Sequence, residues 1–547
     1  MSFADKRTAV RRLLLLLLCA ALLLPRFSLA AGSKKNADAE IRVLLTRLNL
    51  TNEAWMTLEG RYLARGETGT EALLPAGAKI TVLLRKGQLA LFHDGLALNM
   101  GKELKLLRRR DGDVEPGIRF NLFAGVYPGD LTLTIKDGTI QPVLKLPLES
   151  YLPGVVPYEM SDSFPIEALK VQAICARTYA LSKMNGSGEY DVVDNTNDQV
   201  FRGIPDQCEN TVRAVEETEG LILTWKDKLI TAWYSASNGG QTELPENVWG
   251  GDNIPGCFAM TDDPWDLQNP DSTVRTAMLG KDGSGLSRGM LRLLHTALSK
   301  EAELAGRLPE KTEDLKVDAI RTVKVTTPRF KAPSRLMTKL EMTVDAYGGT
   351  WDVTLDLFPE AVFLLGLSVY GADNEIITVT EDEKAFTLTA GRFGHGVGMS
   401  QRGAQQMAAE GGKTFKEILA FYYPGAKIKR YNGKAAAPST PDPVLGETPG
   451  PIPTATPRPT LMPVTEELPE EAWLASVEHI DDDSTLNLRE KPSAGSKIVM
   501  RLYKHQKLIV LEEAEVTGWL HVKTDVIEGY VMMSFLEKVE EKQNAGK

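Results

Sequence analysis

The chain has 547 residues, 43% hydrophobic and 25% charged, with 63 Lys+Arg against 73 Asp+Glu for a net charge of −10. That length predicts about two to four domains rather than one. The apolar fraction excludes a wholly disordered chain, and the acidic balance excludes a protein held to nucleic acid by a broad basic surface.

Residues 1–30 read as a secretory signal. Lys6, Arg7, Arg11 and Arg12 precede an apolar run from Leu13 to Leu24, and Ser28-Leu29-Ala30 supplies a small-residue cleavage site. As a helix that run reaches about 18 Å, short of a roughly 30 Å hydrocarbon core. The chain is therefore expected to be exported, with a membrane as partner only if the segment stays uncleaved as an anchor. Processing leaves a net −14 and three cysteines, Cys175, Cys208 and Cys257. Cys175 lies in an apolar helical pattern and is expected to be buried. The spacing of Cys208 and Cys257 leaves a bridge and free thiols both open.

From Ile41 to about Leu148 the pattern is strand-like. Short runs such as Ile80 to Leu84, Leu89 to Phe92 and Leu131 to Ile135 are punctuated by Lys86-Gly87, Asp94-Gly95 and Asp137-Gly138, which suit tight hairpins. A second strand-rich stretch covers about 320–388, with Tyr347-Gly348-Gly349 as a turn. Helices are predicted at about 165–184, 288–305 and 400–422. In the first, Ser163 is placed to cap, and Ile166, Leu169, Ala173, Ala176 and Ala180 fall on one face. In the third, Gly411-Gly412 predicts a break and Ser400 a cap. Residues 435–470 hold ten of the thirty prolines. They cannot bury a core and read as an extended tether. Segment 473–540 has five short strand-like runs separated by polar turns, predicting a small barrel. Its order, Leu486-Asn487-Leu488-Arg489, Pro492, Gly518-Trp519 and Gly529-Tyr530-Val531, resembles bacterial SH3-like repeats of cell-wall enzymes, which implies a wall- or peptide-binding module.

Three patterns can carry chemistry. In the first, Glu159 follows Val155, Val156 and Tyr158 and precedes Met160, just before the helix near Pro165. Apolar neighbours raise a carboxyl's pKa and suit it to proton donation. From the residues alone, a carboxylate that merely stabilises the helix start is the favoured reading. In the second, Gly391 to Ala404, four glycines surround His395, and Ser400 and Gln401 follow. A structural histidine and a site histidine both fit. In the third, Trp233 to Glu243, a turn dense in hydroxyls and amides around Ser237 suits either a polyhydroxylated ligand or a plain turn. Neither Ser237 nor Ser400 sits in Gly-x-Ser-x-Gly, which argues against a serine hydrolase.

Together these patterns resemble the SpoIID/LytB family, named for stage II sporulation protein D. The similar stretches are Leu148 to Tyr179, Asn197 to Phe201, Ala214 to Glu216 with Gly220-Leu221, Ser235 to Glu243, Asp262 to Asp266, and Gly394 to Gly425. The resemblance implies an α+β catalytic-type region over 41–434, strand-rich with a few helices. Its core motifs lie at 146–430 and it carries an inserted segment of about 270–315. The tether and the SH3-like barrel follow. The resemblance also implies cleavage of peptidoglycan glycan strands by lytic transglycosylation, with Glu159 as general acid/base. His395, Ser237, Gln401, Arg177, Gln199 and Ser400 would bind substrate or support the site. The family's other role is a non-catalytic wall protein that enhances an N-acetylmuramoyl-L-alanine amidase. Expected partners are thus glycan strands and an amidase or other wall hydrolase, with no nucleic acid. Some members hold zinc through Cys and His after the Gln-Val-aromatic motif. Here Arg202 follows Phe201 and no histidine lies between His93 and His295, so neither metal nor cofactor is expected.

Overall fold

The computed structural model describes residues 39–431, apart from 113, 122, 185, 252–254 and 370, and most of 473–538, apart from 481–484, 494–495, 497, 504–506, 515, 517 and 524–527. The segments read from sequence as a signal, 1–30, and as a tether, 435–470, lie outside the described residues. With 39% strand and 22% helix the chain is strand-rich with few helices. No helix among the described residues is long and apolar enough to cross a membrane.

Two sheets build the N-terminal part. A seven-stranded sheet runs Val192–Val193, Glu40–Leu44, Thr139–Pro147, Asp130–Lys136, Glu103–Arg109, Arg61–Gly66 and Glu71–Leu74. A five-stranded sheet runs Leu96–Gly101, Gln88–His93, Lys79–Arg85, Glu53–Leu58 and Ile118–Phe120. Alternate residues turn inward, as period two demands: Leu131 and Leu133 are buried, and so are Ala54, Met56 and Leu58. The turn dipeptides act as read. Both residues of Lys86-Gly87, Asp94-Gly95 and Asp137-Gly138 have positive φ, between 46° and 78°. This primed geometry matches the right-handed twist of the strands it joins.

The helix predicted at 165–184 spans Ile166–Lys183. Two details differ from expectation. Ser163 does not cap it: the helix enters from Pro165 with no side-chain cap, and the Ser163 hydroxyl lies 2.9 Å from that of Ser161. Nor is one face alone apolar. From Ala168 to Leu181 every residue except Lys170 is buried, because the helix packs on helix Glu209–Glu217, strand Leu221–Trp225, and helices Gln401–Ala409 and Phe415–Tyr422. A helix enclosed on all sides has no polar face to give it a clean period. The break at Gly411-Gly412 separates the last two helices as predicted. Thr414 starts the second with a capping box to Glu417.

Residues 270–315 share a separate core with the following strands. Helix Arg288–Leu298 buries Met290, Leu294 and Leu298 with Leu340, Met342, Val353 and Leu388. Two three-stranded sheets complete it. One orders Val274–Gly280, Ala385–Gly391 and Ile376–Glu381, and the other Ala319–Pro328, Met337–Ala346 and Gly349–Asp356. The C-terminal segment has a third core, with Ala475, Val477, Leu488, Val510, Leu520, Val522 and Val531. Its sheet has seven strands rather than the five expected. Trp473–Val477 and Leu536–Lys538 pair with each other and bring the two ends of the segment together. Cys175, Cys208 and Cys257 are all buried and all free, so the bridge left open between the last two is not formed.

Candidate active site

Glu159 ends the one-turn helix Val156–Glu159, and Met160 then turns extended at φ −130° and ψ 129°. The side chain therefore does not serve the next helix. Its Oε1 accepts a hydrogen bond from the Val200 backbone N–H at 3.0 Å. Val155, Val156 and Met160 are buried around it. Burial drives the carboxyl up from 4.5 to about 7, against hydrogen bonds from Val200, Gln401 and Tyr234 and the charge of Arg202, which all favour the ionised form. Near neutral pH the group is divided between its two protonation states, as a carboxyl that must both give and take a proton requires.

Gln401 reaches this carboxyl directly and Gln199 reaches it through Tyr234. Gln199 Nε2 donates to the Tyr234 hydroxyl at 2.9 Å, and Tyr234 in turn bonds Glu159. The Tyr151 hydroxyl donates to Gln199 Oε1 at 3.4 Å. Gln401 Nε2 lies 3.5 Å from Glu159 Oε2 and 3.3 Å from Gln172 Oε1. One short parallel pairing delivers two of these residues. Tyr234–Ser235 runs beside Met399–Ser400, Tyr234 opposite Met399 and Ser235 opposite Ser400, and Gln401 follows as the first residue of helix Gln401–Ala409.

Ser237 and Ser400 sit one layer further back, where both bind one buried carboxylate. Ser400 Oγ donates to Asp266 Oδ1 at 2.6 Å, Ser237 Oγ to Asp266 Oδ2 at 2.8 Å, and the Gly239 N–H to the same oxygen at 2.9 Å. Ser400 Oγ also accepts from the Gly403 N–H at 3.0 Å, capping the helix that begins with Gln401. Asp266 thus anchors two of the three motif loops to each other.

His395 is held by its own loop and by the Tyr234 backbone. Its Nδ1 accepts from the Val397 N–H at 3.0 Å, and its ring lies 5.0 Å from that of Trp249. Burial and the nearby Arg392 guanidinium lower its pKa to about 4, so the imidazole is neutral at pH 7. The glycines serve close approach. A Cβ on Gly398, where φ is 70°, would fall 2.1 Å from the Trp233 carbonyl oxygen. Arg177 is placed elsewhere. Its guanidinium forks onto Glu149 at 2.7 and 2.8 Å and donates to the Leu221 carbonyl, tying strand, helix and the start of the motif together. It does not join the hydrogen bonds around Glu159.

Tyr234, Gln172 and Asp266 belong to the site or its support and were not singled out from sequence. Each lies inside a motif stretch. Tyrosine and glutamine in an apolar context read as core, and the partners that give them meaning are far away in the chain. Among the described residues, no group of three or more His, Cys, Asp or Glu side chains is arranged to hold a metal ion. The Cys208 thiol instead meets the Pro205 carbonyl oxygen.

Residues 136–225 match the family model described as stage II sporulation protein (SpoIID), and residues 484–537 match the bacterial SH3 domain. The chain is 32% identical over 299 residues to the amidase enhancer of Bacillus subtilis, covering 51% of this chain and 40% of that protein. It is 28% identical over 307 residues to stage II sporulation protein D of the same organism, covering 53% of this chain and 76% of the relative. An uncharacterized protein of Brachyspira hyodysenteriae is 28% identical over 396 residues, covering 72% of this chain and 93% of its own length.

Proposed function

For a chain that carries a stage II sporulation protein domain and a C-terminal bacterial SH3 domain, we propose the cleavage of peptidoglycan glycan strands by lytic transglycosylation, with Glu159 as the single acid and base. The observation that carries this reading is the Glu159 carboxyl itself, raised to about 7 and supplied with hydrogen bonds from Val200, Gln401 and Tyr234. The protonated carboxyl donates to the glycosidic oxygen between N-acetylmuramic acid and N-acetylglucosamine, and the bond to the muramic anomeric carbon breaks. The resulting carboxylate removes the proton of the muramic 6-hydroxyl as that oxygen bonds the anomeric carbon, closing a 1,6-anhydro ring. The carboxyl ends protonated as it began. No second carboxylate is required, unlike the paired acids of hydrolytic glycosidases. The neutral His395 imidazole and its neighbour Trp249 offer a polar edge and an apolar face to a sugar.

A second reading is favoured by the likeness to the amidase enhancer: the protein binds glycan without cutting it and stimulates a separate amidase. One experiment separates the two. Purified protein is incubated with intact peptidoglycan and with glycan stripped of its stem peptides, and 1,6-anhydromuramic products are sought by mass spectrometry. Cleavage predicts such products from at least one substrate and their loss in Glu159→Ala, with glycan binding retained. Folded wild-type protein that yields none, but accelerates an added amidase, fits the second reading instead.

A further inference from the structure

Behind Glu159 lies an amide pair that the acid–base scheme does not use. Gln172, on helix Ile166–Lys183, has no exposed surface. Its Oε1 is 3.3 Å from Gln401 Nε2, and that nitrogen is 3.5 Å from Glu159 Oε2. Among the described residues, Gln172 Nε2 meets no hydrogen-bond partner. An amide NH2 carries two hydrogens, so Gln401 can serve both oxygens at once. It can do so in only one orientation. With the Gln401 amide turned over, its oxygen would face the Gln172 oxygen, and its contact to Glu159 would suit only the protonated acid. A buried apolar side chain at 172 would pack without an orphaned nitrogen. What the amide contributes is the oxygen that Gln401 sees.

We propose that Gln172 is a positioning residue whose Oε1 locks the Gln401 amide with its nitrogen toward Glu159, so that Gln401 stabilises the carboxylate between the two proton transfers. The proposal rests on the reading of Glu159 as acid and base. That reading needs a carboxyl that bears charge briefly in an apolar pocket, and a freely turning Gln401 would favour the neutral acid instead. The other charged or titratable groups facing Glu159 are the Tyr234 and Tyr151 hydroxyls and the Arg202 guanidinium. They come from strand Tyr234–Ser235, helix Leu148–Tyr151 and the loop after Val200, and substitution at Gln172 or Gln401 leaves all three in place.

The test follows the Glu159 carboxyl directly. The full chain is labelled with [13Cδ]glutamate, the Glu159 resonance is assigned by its loss in Glu159→Gln, and it is titrated by NMR between pH 5 and 9. Gln172→Met raises the midpoint by roughly one pH unit, the worth of one hydrogen bond to the charged form. Gln401→Met raises it by a similar amount, and the double variant rises no further than Gln401→Met alone. Should Gln172→Met fail to fold, Gln172→Asn, which keeps a polar group but withdraws it from Gln401, gives the same rise. An unchanged midpoint in either folded Gln172 variant, or shifts that add in the double variant, overturns the proposal. The high-pH limb of anhydro-product formation moves upward with the midpoint. A wild-type protein that makes no anhydro product refutes the catalytic reading of Glu159, whereas the titration still decides the Gln172 contact.

Discussion

At the scale of single residues, Glu159 combines a capability with a cost. Its carboxyl titrates near 7 in the folded protein against 4.5 for the free group, because burial disfavours the charge. Stability from this group is therefore complete below the unfolded value and is lost as pH rises through the folded one. Glu159→Gln, neutral throughout, is expected to gain on the wild type between pH 5 and 9 by on the order of 1–3 kcal/mol, read from urea midpoints. A difference that stays constant over that range contradicts the burial argument. Arg177 behaves in the opposite way. Its side chain is 1% exposed and its fork is filled by Glu149. Arg177→Met should cost about 3 kcal/mol while leaving the Glu159 midpoint where it was. The apolar setting of Glu159 was legible from Val155, Val156 and Met160 beside it, but its partners were not, since Val200 and Gln401 lie 41 and 242 residues away. Arg177 was not, since its partner Glu149 lies 28 residues away and an arginine in a motif reads equally as ligand or strut.

At the scale of elements, local rules were legible and long-range pairing was not. Primed turns, the Gly411-Gly412 break and the Ser400 cap all follow from residue types over a few positions. The parallel contact of Tyr234–Ser235 with Met399–Ser400 joins segments some 165 residues apart, and nothing in either segment names the other. Separation also hides Asp266, whose two oxygens join Ser237, Gly239 and Ser400 from 29, 27 and 134 residues away. Ser400→Ala is expected to lose about 1 kcal/mol from the helix cap. It also frees the end of the helix that carries Gln401, so anhydro-product formation should fall more than stability does. Because Ser400 acts through Asp266, Ser400→Ala combined with Asp266→Asn should cost less in urea unfolding than the two changes summed. Gly403→Ala is harsher. Its new methyl would fall 2.0 Å from the Tyr422 hydroxyl and 2.7 Å from Asp263, and a loss of about 1–3 kcal/mol is expected.

At the scale of the whole molecule, three separate cores carry three tasks. The first holds the candidate site, the second adds the 279–390 body, and the third is the SH3-like segment. The third segment has a core of its own and touches the second body where Gly518 lies against the Phe363 ring. Deleting 473–547 should therefore abolish co-sedimentation with cell walls while leaving turnover on soluble glycan intact. Equal pelleting of both forms would reject a wall-retention role. The net −10 gives no general attraction to an anionic wall, so retention has to come from specific contacts. The first and third cores were readable in part, from alternation and turns. The second was read only as an insertion of about 270–315 and a strand-rich stretch of about 320–388, because its helix and its strands alternate along the chain.

The three free, buried thiols have a consequence of their own. No covalent cross-link joins any two described parts of the chain, so its integrity is independent of the redox potential around it. The 39–431 body should melt at the same temperature with and without dithiothreitol, and it should mature in a reducing cytoplasm as readily as in an oxidising compartment. Such a fold asks nothing of a thiol-oxidising catalyst.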